Sequence, residues 1–484
     1  MSGSRHRLQR GTGIFVVLMA AAAGGMLWFA LTLTGPATRT PPAEGVLFGV
    51  WQVLYDTQAP STQLLVAAVA IALLLAAGVA LVESRIATRY RRSDDAGGTP
   101  LAAKPVMART AGVHHGPVTV TVLIPAHDEE DRIAATLASL QEQTRPPDRV
   151  VVVADNCTDR TEELARAAGV EVFRTVDNTH KKAGGLNQAL AVLLPELGEN
   201  DTVMVMDADT VIGREYLATA ESRMTDDRAL MAIGGLFTGE PGHGVLGQFQ
   251  RNEYIRYDRD IRRRRGRLFV LTGTASIFRS RALAEVAAQR GRLLPGVPGD
   301  VYDTVALTED NELTLALKSL GALMTSPAQC TVVTEVMPTW RAIWHQRLRW
   351  QRGALENLGA YGITPQTWRY WVQQFGIGYG AVALLSYYAA VFTMAMSLDR
   401  WVWFPFWLGI GAVFMVERVV SAWRGGWAAR VLAATLLPEL AYATFLNVVF
   451  LKGVFDILLG RQAQWSHISR SADGKVVVKG GGQG

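Results

Sequence analysis

Two stretches near the start of the chain, residues 11–37 and 57–82, contain no aspartate, glutamate, lysine or arginine. Each is longer than the roughly 20 residues a helix needs to cross a bilayer, so part of this chain is expected to fold in lipid. Composition agrees: of 484 residues, 49% are hydrophobic and only 19% charged, which is too apolar for an ordinary soluble protein of this size. Arg5, Arg7 and Arg10 precede the first stretch as they would in a signal peptide. Its apolar run exceeds the usual secretory core of about 7–15 residues, however, and reads as an uncleaved anchor. Arg85, Arg89, Arg91 and Arg92 follow the second stretch, while the loop between the two holds only Arg39. By the positive-inside bias, the N-terminus and the chain after residue 84 are cytoplasmic. Cys157 and Cys330 then lie in a reducing compartment, and neither has metal-like spacing.

The rest of the chain divides by pattern. Residues 1–92 form an N-terminal membrane region with two transmembrane helices, and residues 93–117, rich in Gly, Ala, Pro and Thr, form a linker. From 118 to 337, β-branched apolar runs (Val118–Ile124, Arg149–Ala154, Val203–Met206) alternate with helical spacing such as Ile133, Leu137 and Leu140. That alternation predicts a doubly wound α/β domain, its parallel sheet covered on both faces. Residues 338–369 read as amphipathic interface helices. Residues 370–398 and 401–416 are uncharged and read as an out-and-back pair of spans. A third run, 431–451, is interrupted by Pro438 and Glu439 and is expected to be re-entrant or interfacial. These runs make 370–460 a C-terminal membrane region of two or three transmembrane or re-entrant segments, and 461–484 a flexible tail. The formal charge of +5 is largely accounted for by membrane-flanking arginines. Arg262–Arg265 is assigned to anionic headgroups or a solvated face, and no nucleic-acid partner is expected.

In open α/β sheets ligands bind at the carboxyl ends of the strands, and those ends are acidic here. The first strand runs into Pro125-Ala-His-Asp-Glu-Glu-Asp131, the second into Asp155-Asn-Cys-Thr-Asp159, the third into Asp207-Ala-Asp209. Asp128 and Asp155 are equally explained as turn or helix-start residues. Two carboxylates one residue apart repel unless a cation lies between them or only one faces the ligand. Asp207 and Asp209 are therefore candidate ligands of a hard divalent ion, Mg²⁺ or Mn²⁺, held with substrate phosphates. His180-Lys-Lys-Ala-Gly-Gly-Leu-Asn187 supplies Lys181 or Lys182 to neutralise a diphosphate, or is simply a solvated loop. Gly273 permits a close approach or a tight turn. In Leu307-Thr-Glu-Asp-Asn-Glu-Leu313, Thr308 is a plausible helix cap followed by acids favoured by the helix dipole, and if the segment is functional Asp310 is the general base. If 340–357 is helical, Gln346, Arg349 and Trp350 share one face. Arg349 would reach a diphosphate and Trp350 would stack on a sugar ring, with Trp340 and Trp344 at the lipid.

The ordered set Asp155, Asp207-Ala-Asp209, Thr308-Glu-Asp310 and Gln346-Arg-Leu-Arg-Trp350 resembles the membrane-integrated synthases of glycosyltransferase family 2, the group with cellulose, hyaluronan, chitin and poly-N-acetylglucosamine synthases. The resemblance covers about 118–360. It implies a GT-A-type mixed sheet in a cytosolic domain inserted between transmembrane helices of a multi-pass plasma (inner) membrane protein. It implies that Asp155 contacts uridine, that Asp207 and Asp209 hold the nucleotide and its metal, and that Lys182 and Arg349 meet the diphosphate. It further implies that Asp310 is the catalytic base and that Gln346 and Trp350 line the acceptor site. His127-Asp128 stands where the family often has Tyr-Asn, and Trp465 resembles part of a gating segment. The implied activity is inverting, metal-dependent transfer from UDP-glucose or UDP-N-acetylglucosamine to a growing polysaccharide that is carried across the membrane. Membrane lipids and an accessory export subunit complete the expected partners. Two alternatives stand beside it: a non-processive enzyme acting on a lipid acceptor, and a catalytically silent glycan- or nucleotide-sugar-binding subunit.

Overall fold

The computed structural model describes residues 117–264, 266–396 and 405–461, the strand segments 43–47, 51–55, 466–470 and 476–480, and scattered positions within 21–32 and 66–78. The expected spans at 11–37 and 57–82 fall largely outside the described residues, as do Trp465 and nearly all of the 93–117 linker. The chain divides into two compact units, residues 1–93 with 383–406 and residues 94–382 with 407–484. In the first, strands β1 (Ala43–Leu47) and β2 (Trp51–Tyr55) pair antiparallel, with Ala43 opposite Tyr55.

The second unit is built on a seven-stranded sheet. Its strands are β3 (Thr119–Ala126), β4 (Arg149–Ala154), β5 (Glu171–Arg174), β6 (Asp201–Met206), β8 (Leu230–Gly234), β10 (Ala275–Arg279) and β11 (Leu323–Thr325), in the order β11-β8-β10-β6-β3-β4-β5. A three-stranded sheet joins β7 (Val211–Ile212), β12 (Thr331–Thr334) and β9 (Leu236–Gly239). The large sheet is mixed, as the family resemblance implies, where the residue pattern alone suggests a parallel sheet: β10 runs antiparallel to both β6 and β8. Alternation along each strand feeds two cores. Leu123, Val203, Val205 and Phe278 face one, and Val122, Ile124, Met204, Met206 and Ile277 face the other. Burial on both faces is why these strands read as continuous apolar runs rather than alternating ones.

Four helices then decide where the site lies. Helix α1 (Lys181–Leu193) and helix α2 (Glu309–Ser319) pack on the first of those cores. Helix α3 (Trp340–Tyr361) starts at Thr339, whose hydroxyl accepts a hydrogen bond from the Ala342 amide at 3.2 Å. Helix α4 (Leu436–Leu458) lies along α3. The expected Pro-Glu interruption is not there. The break falls at Thr435, between the helix Gly426–Ala434 and α4, and Pro438 sits in the first turn of α4, where no intrahelical amide is needed.

Glu439 is neutralised by Arg256 at 3.1 Å. Tyr442 stacks on Phe249, centroids 4.8 Å apart, while Leu437, Val448, Leu451, Phe455 and Leu458 are exposed. Among the described residues, α4 is the one helix long and apolar enough to cross a membrane by length and composition. The tail, expected to lack regular structure, contains a hairpin instead: Ser466–Arg470 pairs antiparallel with Val476–Gly480, bringing Ile468 opposite Val478. Its β-branched run Val476–Val478 favours that pairing over a coil.

Candidate active site

Of the acids predicted at strand ends, Asp207 and Asp209 lie in one cluster with Glu129. Asp207 follows β6, and its amide donates to the Thr274 carbonyl at 3.0 Å, which fixes the turn beside β10. Its Oδ1 accepts a hydrogen bond from Lys182 Nζ at 2.6 Å, and the same ammonium lies 3.0 Å from Glu309 Oε1. Lys182 thus bridges the first turn of α1 to the first turn of α2. Burial opposes its charge, but Asp207 and Glu309 outweigh it and hold the ammonium pKa well above the usual range. Burial likewise pushes Glu309 up, yet Lys182 and Arg349 together hold its carboxyl below the ordinary value.

Asp310 is adjacent. Its Oδ2 accepts from the Gly273 amide at 3.1 Å and its Oδ1 from the Asn311 amide at 2.7 Å. A Cβ on Gly273 would stand 3.3 Å from Asp310 Oδ2 and 3.5 Å from Lys182 Nζ, so glycine there lets the backbone approach both charged groups. Burial, then the neighbouring Glu309, pushes Asp310 up to about 6, against Lys182 and the two amides. A small cavity borders Lys182, Gly273, Tyr302, Glu309 and Asp310.

A second group of acids lies next to Asp207. Burial, then Asp207 and Glu335, pushes Asp209 up to about 6. Glu129 is raised to about 8 by burial, Asp209, Asp207 and Glu335, with Arg132 opposing. Arg132 pairs with Glu240 at 3.1 Å and Glu335 at 3.4 Å. Hard carboxylate oxygens whose ionised forms are opposed by burial and mutual repulsion are a donor set that fits a hard divalent cation. Glu129 and Glu335 were not singled out from sequence. Glu335 directly follows strand β12, so the strand-end rule that found Asp207 would have found it too.

Among the described residues, the three ligand-type side chains with donor atoms within 4.8 Å of one another are Asp128, Cys157 and Asp159. Their oxygens brace loops. Asp128 Oδ1 accepts from the Thr158 amide at 2.7 Å, and Asp159 accepts from the Glu130 and Thr161 amides, each at 2.9 Å. Asp128 is therefore a turn residue. Asp155, buried at the end of β4, accepts through Oδ1 from Thr175 (2.8 Å), Asn178 (2.8 Å) and Asn156 (3.2 Å). It ties the loop before α1 to the sheet.

Helix α3 brings the remaining predicted residues. Arg349 lies near enough to Lys181 and Glu309 to act on both: burial and Arg349 lower Lys181, and Arg349 helps to lower Glu309. The Gln346 side-chain oxygen is buried and accepts no hydrogen bond from the described residues. Trp350 is stacked beneath Arg347, the guanidinium carbon 4.2 Å from the ring centroid. Arg347 is 2% exposed and pairs with Glu253 at 2.9 Å, and Tyr442 of α4 donates to the same Glu253 oxygen at 3.0 Å. Trp340 and Trp344, expected at lipid, pack edge-on against Phe445 of α4, at 5.0 and 5.8 Å, although Trp340 stays half exposed. The dense Trp and Arg of this helix thus serve packing on one side and the acid site on the other.

The contact between α3 and α2 is close. A Cβ on Gly353 would stand 2.6 Å from Thr308 Oγ1 and 2.9 Å from its Cγ2. Gly353→Val is expected to cost about 1–3 kcal/mol by overpacking, measurable as a lowered midpoint of thermal unfolding in detergent; an unchanged midpoint contradicts this contact.

Residues 121–287 match the family described as Glycosyl transferase family 2. The chain carries a family 2 glycosyltransferase domain, the domain of a transferase enzyme. The chain is 29% identical over 246 residues to "Probable glycosyltransferase YdaM" of Bacillus subtilis, covering 48% of this chain and 54% of that protein. It is 30% identical over 271 residues to "Cellulose synthase catalytic subunit [UDP-forming]" of Pseudomonas fluorescens, covering 52% of this chain and 33% of that protein. The chain thus spans about half of the first relative and a third of the second. The structure of a Pyrobaculum calidifontis mannosyltransferase, solved with GDP-Man and Mn²⁺, is similar in fold (TM-score 0.50, 16% identity, 79% of this chain and 95% of that one).

Proposed function

We propose that this protein is an inverting glycosyltransferase that moves glucose or N-acetylglucosamine from its UDP derivative to a hydroxyl of a growing polysaccharide and passes the product across the membrane. The observation that carries the proposal is the juxtaposition of Asp310, held by the Gly273 amide, with the Asp207–Lys182–Glu309 bridge. The UDP-forming cellulose synthase relative supports the choice of nucleotide. Asp310 accepts the proton of the acceptor hydroxyl as that oxygen attacks the anomeric carbon; the bond from that carbon to the diphosphate oxygen breaks, UDP departs from the opposite face, and configuration inverts. Lys182 and Arg349 balance the charge that gathers on the diphosphate, and Asp155 closes the nucleotide side. Asp207 and Asp209 would hold Mg²⁺ or Mn²⁺, which supplies further electrostatic stabilisation of the leaving group. Gln346 offers its unbonded oxygen, and Trp350 the ring face opposite Arg347, to the acceptor.

One observation favours a lipid-linked acceptor as a second reading: α4, with an exposed apolar edge, packs along the helix that carries Trp350. Product length separates the two. The exposed apolar edge of α4 and the arginines that flank the two N-terminal apolar stretches support a multi-pass inner-membrane protein with its catalytic domain in the cytoplasm.

The base must be ionised to work. With Asp310 raised to about 6, its carboxylate is increasingly protonated as pH falls through that value. The rate at saturating donor is therefore expected to be level above about pH 7 and to fall about ten-fold per unit well below 6. A rate profile flat from pH 7 to 5 contradicts the assignment.

A further inference from the structure

The turn that presents Asp310 lacks the support its sequence suggests. Thr308 stands at the N-cap of α2 but makes no side-chain capping bond. Its hydroxyl and carbonyl each accept from Asn357 Nδ2 at 3.2 Å, and Asn311 Oδ1 accepts from the same amide nitrogen at 3.0 Å. Four residues on, Tyr361 donates its hydroxyl to Glu312 Oε1 at 2.5 Å. Four residues before, Gly353 lies against Thr308. Gly353, Asn357 and Tyr361 recur at every fourth position, one face of a helix, and that helix is the one that carries Gln346, Arg349 and Trp350.

Behind the turn, Glu312 is held by Arg290 through both oxygens, at 2.5 and 2.7 Å, with the two side chains 2% and 0% exposed. Arg290 also donates to the Val301 carbonyl at 2.6 Å. Asn187 of α1 accepts from the Val301 and Tyr302 amides at 3.1 and 2.8 Å. The base turn, the loop that carries Tyr302 and the helix that carries Lys182 are therefore tied together by buried polar groups, and α3 closes the set.

We propose that Asn357 and Tyr361 are positioning residues that, across the Gly353 contact, lock the Thr308–Glu312 turn to helix α3 and so fix the base relative to the acceptor-side residues on that helix. The inference rests on the role of Asp310 proposed above. With no side-chain cap from its own helix, the base turn takes the Asn357 and Tyr361 hydrogen bonds from the helix that carries the proposed acceptor-side residues. Displacement of either then misplaces the attacking oxygen and the base together, and misplacement on the order of 1 Å costs about a hundred-fold in rate.

The test uses the full chain in lipid with Mn²⁺ and UDP-[14C]glucose or UDP-[14C]N-acetylglucosamine. Tyr361→Phe and Asn357→Ala are compared with Tyr216→Phe, which removes another buried hydroxyl, bonded to the Ala275 carbonyl at 3.1 Å, on the other layer. The expected result is a kcat lowered about ten-fold in the first two, with donor KM unchanged and faster amide hydrogen exchange at residues 308–312. Tyr216→Phe is expected to keep kcat. Equal loss in all three variants, or unchanged kcat and unchanged exchange at 308–312 in the first two, overturns the inference. Asp310→Asn in the same assay separates the two levels: if it keeps transfer, the base assignment and the inference fall together. If it abolishes transfer while Tyr361→Phe and Asn357→Ala leave kcat intact, the inference alone falls.

Discussion

Asp310→Asn is expected to lower sugar transfer by at least about a hundred-fold while leaving UDP binding intact. Asparagine has the shape of aspartate and can still accept from the Gly273 or Asn311 amide, so the turn should persist, but its amide has no useful basicity. Lys182, Asp207 and Asp209 are untouched, so the nucleotide side is retained. The check pairs a radiolabelled transfer assay with calorimetric UDP binding in Mn²⁺. Transfer at the wild-type rate contradicts the base assignment, and loss of both activities points to a structural role for this carboxylate.

Asp209→Ala is expected to have the second large effect, weakening Mn²⁺-dependent UDP binding by about ten-fold or more. The physical reason is the crowding around this carboxylate. Burial, Asp207 and Glu335 already oppose its ionisation and raise it to about 6, and a divalent cation is the partner that would offset all three. Without Asp209, the ion loses a hard oxygen ligand, while Asp207 remains partly engaged by Lys182 at 2.6 Å. UDP titrations with and without Mn²⁺ measure it directly. An unchanged metal dependence would move the metal away from this pair.

The two effects fall on residues visible in the sequence, for different reasons. Asp155, Asp207 and Asp209 each follow a β-branched run, and a buried parallel strand must end in polar groups facing the ligand crevice. Asp310 was visible through its motif, but how its turn is held was not: Thr308 looks like a cap, and only the approach of Asn357, 49 residues away, turns its hydroxyl to another task. Glu129 and Glu335 also stand at strand ends, but what sets them apart from the other acids there is proximity to Asp209, which the strand-end pattern does not record. The sheet order carried the same lesson. That β10 runs antiparallel between β6 and β8 depends on where the chain returns, which local periodicity does not record. Pro438 misled by its chemistry, since a proline in a first turn and a proline that breaks a helix are the same letter. The hairpins at 43–55 and 466–480 are short strands whose pairing brings no strong period to the sequence.

The central claim is that the Asp207–Lys182–Glu309 bridge and Asp310 serve transfer from a UDP-sugar. The most direct test is incubation of the full chain in lipid, with Mg²⁺ or Mn²⁺, against a panel of radiolabelled UDP-sugars, resolving products by size and anomeric configuration. The account predicts incorporation from one UDP-sugar, dependent on the divalent ion, with inverted configuration and absent in Asp310→Asn. Transfer with retained configuration, or metal-independent transfer that survives Asp310→Asn, would contradict it.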